Sequence, residues 1–249
     1  MIDSALLPIL LPLFLLVGAL YASVGHAGAS GYLAVMALVG VEASAMRPTA
    51  LLINVLVGTI ALIQFARAGY FSWRLLWPFA VLSVPAAYMG AMLPVGPGVL
   101  RMTIGAVLLF SALRMASVAC RPPGSEPDTR APAIWIALLA GGLIGFVAGM
   151  TGTGGGIFLS PLLLIMGWAD TKRTAAIAPA FILINSIAAL AALAQTGWRP
   201  TTETGVLAIA AGIGGFVGAS LGSRHLGARG LRLLLAAVLV LAAAKLLLS

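Results

Sequence analysis

The sequence predicts an all-α membrane protein that crosses the bilayer many times, and three observations support this prediction. Hydrophobic residues make up 61% of the 249 residues and charged residues only 8%, with a mean hydropathy of +1.12. A water-soluble domain carries roughly 25% charged residues, so this chain has too few to cover its surface in water. Its apolar residues form long runs, and two glycine clusters interrupt them, "GHAGAS" at 25–30 and "GTGGGI" at 152–157.

Turn-forming and polar residues divide the chain into ten apolar segments. Most are close to the ~20 residues that a helix needs to cross a ~30 Å hydrocarbon core. The second and seventh are shorter and contain the glycine clusters, so we expect broken or re-entrant helices there and about eight to ten spans. The first has no Lys or Arg before it, so we expect a membrane segment and not a secretory signal. The segments are 5–24, 25–40, 48–66, 75–93, 99–119, 133–150, 152–168, 174–195, 204–221 and 231–248.

The basic residues predict the orientation. If all ten segments cross, ten of the 14 Lys and Arg residues fall on one side and four on the other. The positive-inside rule makes the richer side cytoplasmic, so we expect both termini in the periplasm of a bacterial inner membrane. The basic residues are scattered singly, which argues against a nucleic-acid partner despite the net charge of +8. The four on the outer side are Arg47, Arg101, Arg199 and Lys245.

The two halves of the sequence resemble each other. "PTALLINVLVGTIALIQ" at 48–64 and "PAFILINSIAALAALAQ" at 179–195 keep Pro, Asn and Gln at the same spacing. Five segments per half is an odd number, so the halves insert with opposite orientation, as in many secondary transporters. We therefore predict two inverted five-segment repeats, 1–119 and 133–249, joined by a polar, proline-rich cytoplasmic linker at 120–132.

The glycine clusters predict a binding site for a small anion. Freed backbone groups are tolerated in the membrane only where they are buried in protein or line a cavity. A helix that begins after such an interruption presents unpaired N–H groups and the positive end of its dipole. Inverted repeats would bring both clusters towards the midplane. The predicted site residues of the clusters are Gly25, His26, Gly28, Ser30, Thr151, Gly152, Thr153, Gly154, Gly155 and Gly156.

The predicted membrane interior contains no Lys, Arg, Asp or Glu, so an anion would be held by backbone amides and neutral side chains. Asn54 and Asn185 complete the predicted site because the duplication retains both. Interhelical hydrogen bonding is an equally good explanation for them. His26 has an unperturbed pKa of ~6.5 as a residue type, and could donate to the anion or carry a coupled proton.

Other chemistries lack their signatures. A single cysteine excludes a disulfide framework and a cysteine-based metal site. Ile157 stands where a dinucleotide-binding motif needs its third glycine, and no lysine follows the cluster as in a phosphate-binding loop. There is no nucleophile with a partnered base and no His/Asp/Glu cluster. We expect no catalytic residue, no metal and no cofactor, and hence a protein that is not an enzyme.

The motifs do resemble a known family. "GTGGGIFLSPLLLIMGW" at 152–168, "APAFILIN" at 178–185 and the looser "GHAGASGYLAVMALVGVEASAMRPTALLIN" at 25–54 are similar to the sulfite exporter TauE/SafE family. The resemblance covers nearly the whole chain. It implies transport, usually outward, of sulfite, sulfoacetate or other organosulfonates, with both glycine motifs and both asparagines at the substrate. The first motif departs from the family's denser glycine run at His26, Ala27 and Ala29.

The leading hypothesis is therefore an exporter or facilitator of small sulfur-containing anions in the lipid bilayer. A non-transporting scaffold subunit is an alternative from another class, although the short loops offer little docking surface. A transporter of another small anion or of a neutral metabolite is a third. The sequence leaves open the individual substrate, the coupling ion and whether the chain forms a homo-oligomer.

Overall fold

The computed structural model describes residues 2–94, 96–119, 129–223, 240, 243–244 and 247. Within these residues every regular element is a helix. Most of the predicted linker and of the predicted tenth segment lies outside them. After a short 3-10 turn at Ser4–Leu6, the helices are α1 (Leu7–Ala22), α2 (Ala29–Leu38), α3 (Ala43–Arg67), α4 (Trp73–Met92), α5 (Pro97–Ala119), α6 (Ile134–Thr151), α7 (Gly156–Ile165), α8 (Thr171–Gln195) and α9 (Thr202–Gly222).

Six of the described helices are long and apolar enough to cross a membrane, namely α1 with its preceding turn, α3, α4, α6, α8 and α9. Helices α2 and α7 have only ten residues each. At ~1.5 Å per residue they are ~15 Å long, about half of the hydrocarbon core. They are shorter than the predicted segments because each begins only after the first four residues of its glycine cluster and ends two or three residues earlier than predicted. The described part of the chain is thus a multi-pass helical membrane protein with two short helices inside it.

Two helix pairs pack unusually closely, α1 with α9 and α4 with α6. An ideal Cβ at Gly149 of α6 would lie 2.0 Å from the carbonyl oxygen of Ala87 in α4. An ideal Cβ at Gly218 of α9 would lie 1.9 Å from the carbonyl oxygen of Ala19 in α1. Only glycine allows backbones to approach this closely, and small residues at four-residue spacing are the usual interface between membrane helices. The glycines at these contacts are Gly141, Gly145 and Gly149 in α6 and Gly214, Gly218 and Gly222 in α9.

The buried apolar side chains form two main clusters. One joins α1, α2, α3 and α9 with parts of α5 and α8, and in it the rings of Phe14 and Tyr32 lie 4.9 Å apart. The other joins α4, α6, α7 and α8, where the rings of Phe79 and Trp168 lie 5.9 Å apart. Both short helices are therefore enclosed by longer ones, which satisfies the requirement that irregular backbone at membrane depth be buried in protein.

Arg47 corrects the predicted start of the third segment, because it lies inside a helix that is long and apolar enough to cross a membrane. The sequence was divided at Pro48, whereas α3 begins at Ala43 and continues through that proline. Arg47 is therefore in the second turn of a membrane helix, and it is only 6% exposed. The packing of α3 against α8 and α9 outweighs the loss of one helical hydrogen bond at the proline.

Candidate functional site

Both glycine clusters interrupt the helical backbone, as the sequence predicts. The first break, defined as residues 23–28, separates α1 from α2, and the second break, residues 152–155, separates α6 from α7. Their glycines have φ values between 72° and 95°, a left-handed conformation that residues with a Cβ rarely adopt. These glycines are Gly25 and Gly28 in the first break and Gly152, Gly154 and Gly155 in the second.

Each break packs against a long helix from the other part of the chain. An ideal Cβ at Gly25 would lie 2.1 Å from the carbonyl oxygen of Ala175 in α8. An ideal Cβ at Gly152 would lie 2.8 Å from the carbonyl oxygen of Arg47 in α3. Ala175 and Arg47 are each the fifth residue of their helix. Glycine is therefore needed at both positions for conformation and for space, and the breaks are fixed against α8 and α3.

A small cavity lies between the two breaks. Its volume is about 10 Å³, which is the space of about one water molecule. It takes residues from both glycine clusters, so the structure brings these distant stretches together. The lining residues are Tyr21, His26, Gly28, Ala29, Ser30, Thr153, Ile157 and Ile182.

His26 spans the cavity with both ring nitrogens. Its Nδ1 lies 3.2 Å from the carbonyl oxygen of Val24, and its Nε2 lies 3.1 Å from Oγ of Ser160 in α7. A carbonyl oxygen can only accept, so Nδ1 carries a proton and donates to it. In the neutral ring Nε2 then accepts from the Ser160 hydroxyl. This bond connects the first break directly to the helix that follows the second.

The hydroxyl groups of Ser30, Thr151 and Thr153 also form hydrogen bonds. Ser30 donates to the hydroxyl oxygen of Tyr21 at 3.0 Å. Thr151, the last residue of α6, donates to the carbonyl oxygen of Val147 at 2.7 Å. Its Oγ1 lies 3.0 Å from Oγ1 of Thr153, and since the Thr151 proton is used, Thr153 is the donor. Gly155 and Gly156 have no side chain and place the backbone that begins α7.

Asn54 lies beside the second break, Asn185 lies against α4, and neither asparagine lines the cavity. Asn54 Nδ2 donates to Oγ of Ser186 at 3.3 Å, and an ideal Cβ at Gly154 would lie 2.8 Å from that same Nδ2. Asn185 Oδ1 accepts from Oγ of Ser83 in α4 at 2.9 Å. Both asparagines are buried, and within the described residues Asn54 Oδ1 and Asn185 Nδ2 have no hydrogen-bond partner. Asn54 therefore contacts the second break, whereas Asn185 faces α4.

The electrostatics at the cavity favour an anion. Neither α2 nor α7 has a side-chain cap or an acidic residue in its first turn. The first N–H groups of a helix have no partner within it and carry the positive end of the dipole. No Asp or Glu lines the cavity, and no group of His, Cys, Asp or Glu in the described part of the chain could hold a metal ion.

Arg47 adds a positive charge beside the second break. Its Nε donates to the carbonyl oxygen of Gly149 at 3.1 Å, and its Nη2 donates to the carbonyl oxygen of Ala91. These oxygens belong to the last turns of α6 and α4, where carbonyls lack helical partners. Among the described residues, no carboxylate lies within ion-pair distance of Arg47.

Several residues at the site were not predicted. Tyr21 lies one helical turn before Gly25, and that spacing could have placed it beside the break. Tyr32 is buried, and its hydroxyl oxygen would lie 3.1 Å from an ideal Cβ at Gly28, with no hydrogen-bond partner within the described residues. Ile157 and Ile182 are apolar residues in apolar helices, so the sequence carries no signal for them.

Comparisons with known proteins identify the family. A family model described as sulfite exporter TauE/SafE matches residues 10–246. A protein of Sinorhizobium fredii, described as the probable membrane transporter protein y4hK, is 40% identical over 240 residues, which cover 94% of this chain and 95% of that protein. No solved structure matches the chain. The chain therefore belongs to the TauE/SafE sulfite exporter family, whose members are membrane transporters and not enzymes.

Proposed function

We propose that this protein transports small sulfur-containing anions, such as sulfite, sulfoacetate or another organosulfonate, as an exporter or facilitator. The observation that carries the proposal is the cavity between the two breaks, at the point where α2 and α7 begin. Two uncapped helix N-termini converge there without any acidic residue in their first turns. Such an arrangement binds negative charge through backbone N–H groups.

The proposed substrate site comprises both glycine clusters and the two asparagines. Gly25 and Gly28 set the backbone of the first break, and His26 and Ser30 line the cavity. In the second break Thr153 lines the cavity. The hydroxyl of Thr151 orients the side chain of Thr153. The N–H groups at the start of α7 are positioned by the backbone of Gly152, Gly154, Gly155 and Gly156. Asn54 joins the site through its contact with Gly154, and Asn185 joins it as the counterpart of Asn54 in the repeated motif. A sulfur oxyanion has at least four heavy atoms, so the water-sized cavity must widen during transport.

We also propose that the chain consists of two inverted halves, 1–119 and 133–249, joined by a cytoplasmic linker at 120–132. Helix lengths support this, because α2 and α7 have ten residues each and α3 and α8 have 25 each. Packing supports it too, because the pair α1 and α9 corresponds to the pair α6 and α4. Each break rests on the fifth residue of the long helix of the other half. Inverted halves around a central site allow alternating access.

The proposed location is the bacterial inner membrane, with both termini in the periplasm. The ten-to-four bias of basic residues supports this orientation. The structure brings Arg74, Arg130 and Arg173, all on the predicted cytoplasmic side, to one cavity at the starts of α4, α6 and α8. If these three arginines all face the cytoplasm, they must lie on the same side of the protein, and their common cavity agrees with this.

The function is tested by anion flux into proteoliposomes. A thermal-unfolding screen against sulfite, thiosulfate, sulfoacetate, taurine and carboxylates first selects the solute, since a ligand that binds the folded state raises its stability. Flux of that solute should fall about tenfold or more in Asn54→Leu and in Asn185→Leu, because each removes a buried hydrogen-bonding group. Gln195→Leu removes an exposed amide at the end of α8 and should leave flux unchanged.

The outcomes separate the function from the site. If no sulfur anion stabilises the wild-type protein or crosses with it, the proposed substrate class is wrong. Stabilisation by carboxylates alone would assign another anion. If wild-type flux is present and both asparagine variants match it, the substrate class stands and the asparagines are structural.

A further inference from the structure

A second cavity, of about 210 Å³, lies where α4 and α8 begin, next to the segment that leads into α6. It shares no lining residue with the cavity between the breaks. Three arginines and a tryptophan line it, namely Arg74, Arg130, Arg173 and Trp168. We call it the arginine cavity. Its volume is many times that of the cavity between the breaks.

The arginines stand where helix electrostatics disfavour them. Arg74 is the second residue of α4, Arg173 is the third of α8, and Arg130 lies four residues before α6. A helix N-terminus carries the positive end of the dipole, so acidic side chains are favoured in the first turn and basic ones are not. The first turns of α4, α6 and α8 contain no acidic residue. Positive charge therefore accumulates here, and a bound anion would relieve it.

The described residues supply little negative charge to compensate these arginines. Asp170 caps α8 by accepting from the Arg173 backbone N–H at 2.7 Å, and its Oδ2 lies 3.5 Å from Arg173 Nε. Within the described residues Arg74 and Arg130 have no carboxylate at ion-pair distance. Among the described residues, one aspartate beside Arg173 thus accompanies three arginines, so the lining of the cavity carries excess positive charge.

Tryptophans place the arginine cavity at the level of the lipid headgroups. Trp73 at the start of α4 is 63% exposed, and Trp135 at the start of α6 is 65% exposed. Exposed tryptophan is enriched at the membrane–water interface. Trp168 forms one wall of the cavity and packs on Phe79. The positive charge therefore lies beside the membrane surface and not in bulk water.

We propose that the arginine cavity binds a phosphate-type oxyanion, which the membrane supplies as the headgroup phosphate of an anionic phospholipid. Guanidinium groups match such oxyanions because their N–H donors form a planar fork. The N–H groups at the start of α4 add donors, since that helix has no side-chain cap and its second and third residues line the cavity. Basic pockets between membrane helices on the cytoplasmic side are suited to anionic headgroups. This proposal does not depend on which anion binds in the cavity between the breaks.

The test uses the full-length protein in nanodiscs and follows thermal unfolding. One arm adds phosphatidylglycerol to phosphatidylcholine, and the other adds inorganic phosphate to discs of phosphatidylcholine alone. Arg74→Gln/Arg130→Gln should weaken apparent anion affinity about tenfold or more, because two charged donors are lost. The matched control Arg67→Gln/Arg199→Gln also removes two exposed charges, from outside the cavity, and should behave as wild type.

Asp170→Asn should change the apparent anion affinity in the opposite direction. Asparagine still caps the helix, but the carboxylate that competes for Arg173 is removed. Apparent affinity should therefore rise about two- to fivefold, the size of a surface charge effect. A substitution that merely loosened the protein would not tighten binding.

The arms identify the source of the anion. Stabilisation by phosphatidylglycerol but not by phosphate supports a lipid site, and stabilisation by phosphate without anionic lipid supports a soluble ligand with the same chemistry. If neither stabilises the wild-type protein, the proposal is overturned, whatever the variants do. Equal weakening in the cavity variant and in the matched control would overturn it as well, since general surface charge would then explain the effect.

Discussion

The two breaks share a backbone plan but differ in side-chain chemistry. Both contain left-handed glycines, and both are pressed against the fifth residue of a 25-residue helix. At the first break that residue is Ala175, and the break carries His26, which bonds to Ser160. At the second break that residue is Arg47, whose guanidinium binds two helix ends. The geometry is thus nearly duplicated, whereas the titratable group and the fixed charge occur once each.

This difference assigns separate tasks to the breaks. Arg47 joins α3 to the last turns of α4 and α6, and its charge meets the negative ends of two helix dipoles. The second break is therefore the more firmly held. The first break lacks this support, because Ala175 offers only a methyl group. We accordingly expect the first break to be the more easily moved when the cavity widens.

The largest expected effect comes from removing what the breaks share. Gly25→Ala and Gly152→Ala would each add a Cβ that overlaps the opposing backbone, at a φ of 75° and 83° respectively. Left-handed strain costs about 1–2 kcal/mol and overpacking about 1–3 kcal/mol more. We expect a loss of about 2–5 kcal/mol in the free energy of unfolding, measured in detergent micelles, and loss of anion flux.

Gly69→Ala is the matched control for this prediction. Gly69 also has a φ of 83°, but nothing lies within 4 Å of an ideal Cβ there. This substitution should therefore lower the free energy of unfolding only by the cost of the left-handed conformation, about 1–2 kcal/mol. Equal losses in all three variants would show that the contacts with Ala175 and Arg47 do not hold the breaks.

A smaller effect should appear at one break alone. Arg47→Met leaves the carbonyls of Gly149 and Ala91 without their donor, at a cost of about 1–3 kcal/mol for each unpaired group. Removing a desolvated charge offsets part of this cost, so we expect the free energy of unfolding to fall by about 2 kcal/mol. Hydrogen exchange followed by mass spectrometry should show faster exchange at 149–156 and unchanged exchange at 22–29.

Arg47→Lys is the companion variant. It keeps the charge but lacks the planar fork that reaches two carbonyls at once. Exchange at 149–156 should therefore lie between wild type and Arg47→Met. If the first break loosens as much as the second in either variant, the asymmetry between the breaks is wrong.

Much of the backbone plan could be predicted from the sequence, because it depends on local chemistry. The long apolar runs predicted helices, and the glycine clusters predicted where helices stop, since glycine alone tolerates positive φ at low cost. Arg47 was misplaced because a proline inside a buried helix resembles a helix start. The Asn54–Ser186 and His26–Ser160 bonds join residues 132 and 134 positions apart. Such contacts follow from tertiary packing, which periodicity does not encode.

The smallest expected effect concerns His26, the titratable residue of the first break. Neutral His26 donates to Val24 and accepts from Ser160, whereas the protonated ring has donors at both nitrogens. Anion binding should therefore favour the protonated ring, and affinity should fall as pH rises, by at most about tenfold per pH unit for a single coupled proton. Isothermal titration calorimetry of the selected anion over a series of pH values measures this dependence. His26→Gln should flatten it, and His225→Gln, the other histidine of the chain, should leave it unchanged. A wild-type affinity that does not vary with pH would assign His26 a purely structural contact, and would leave the two breaks different in fixed charge alone.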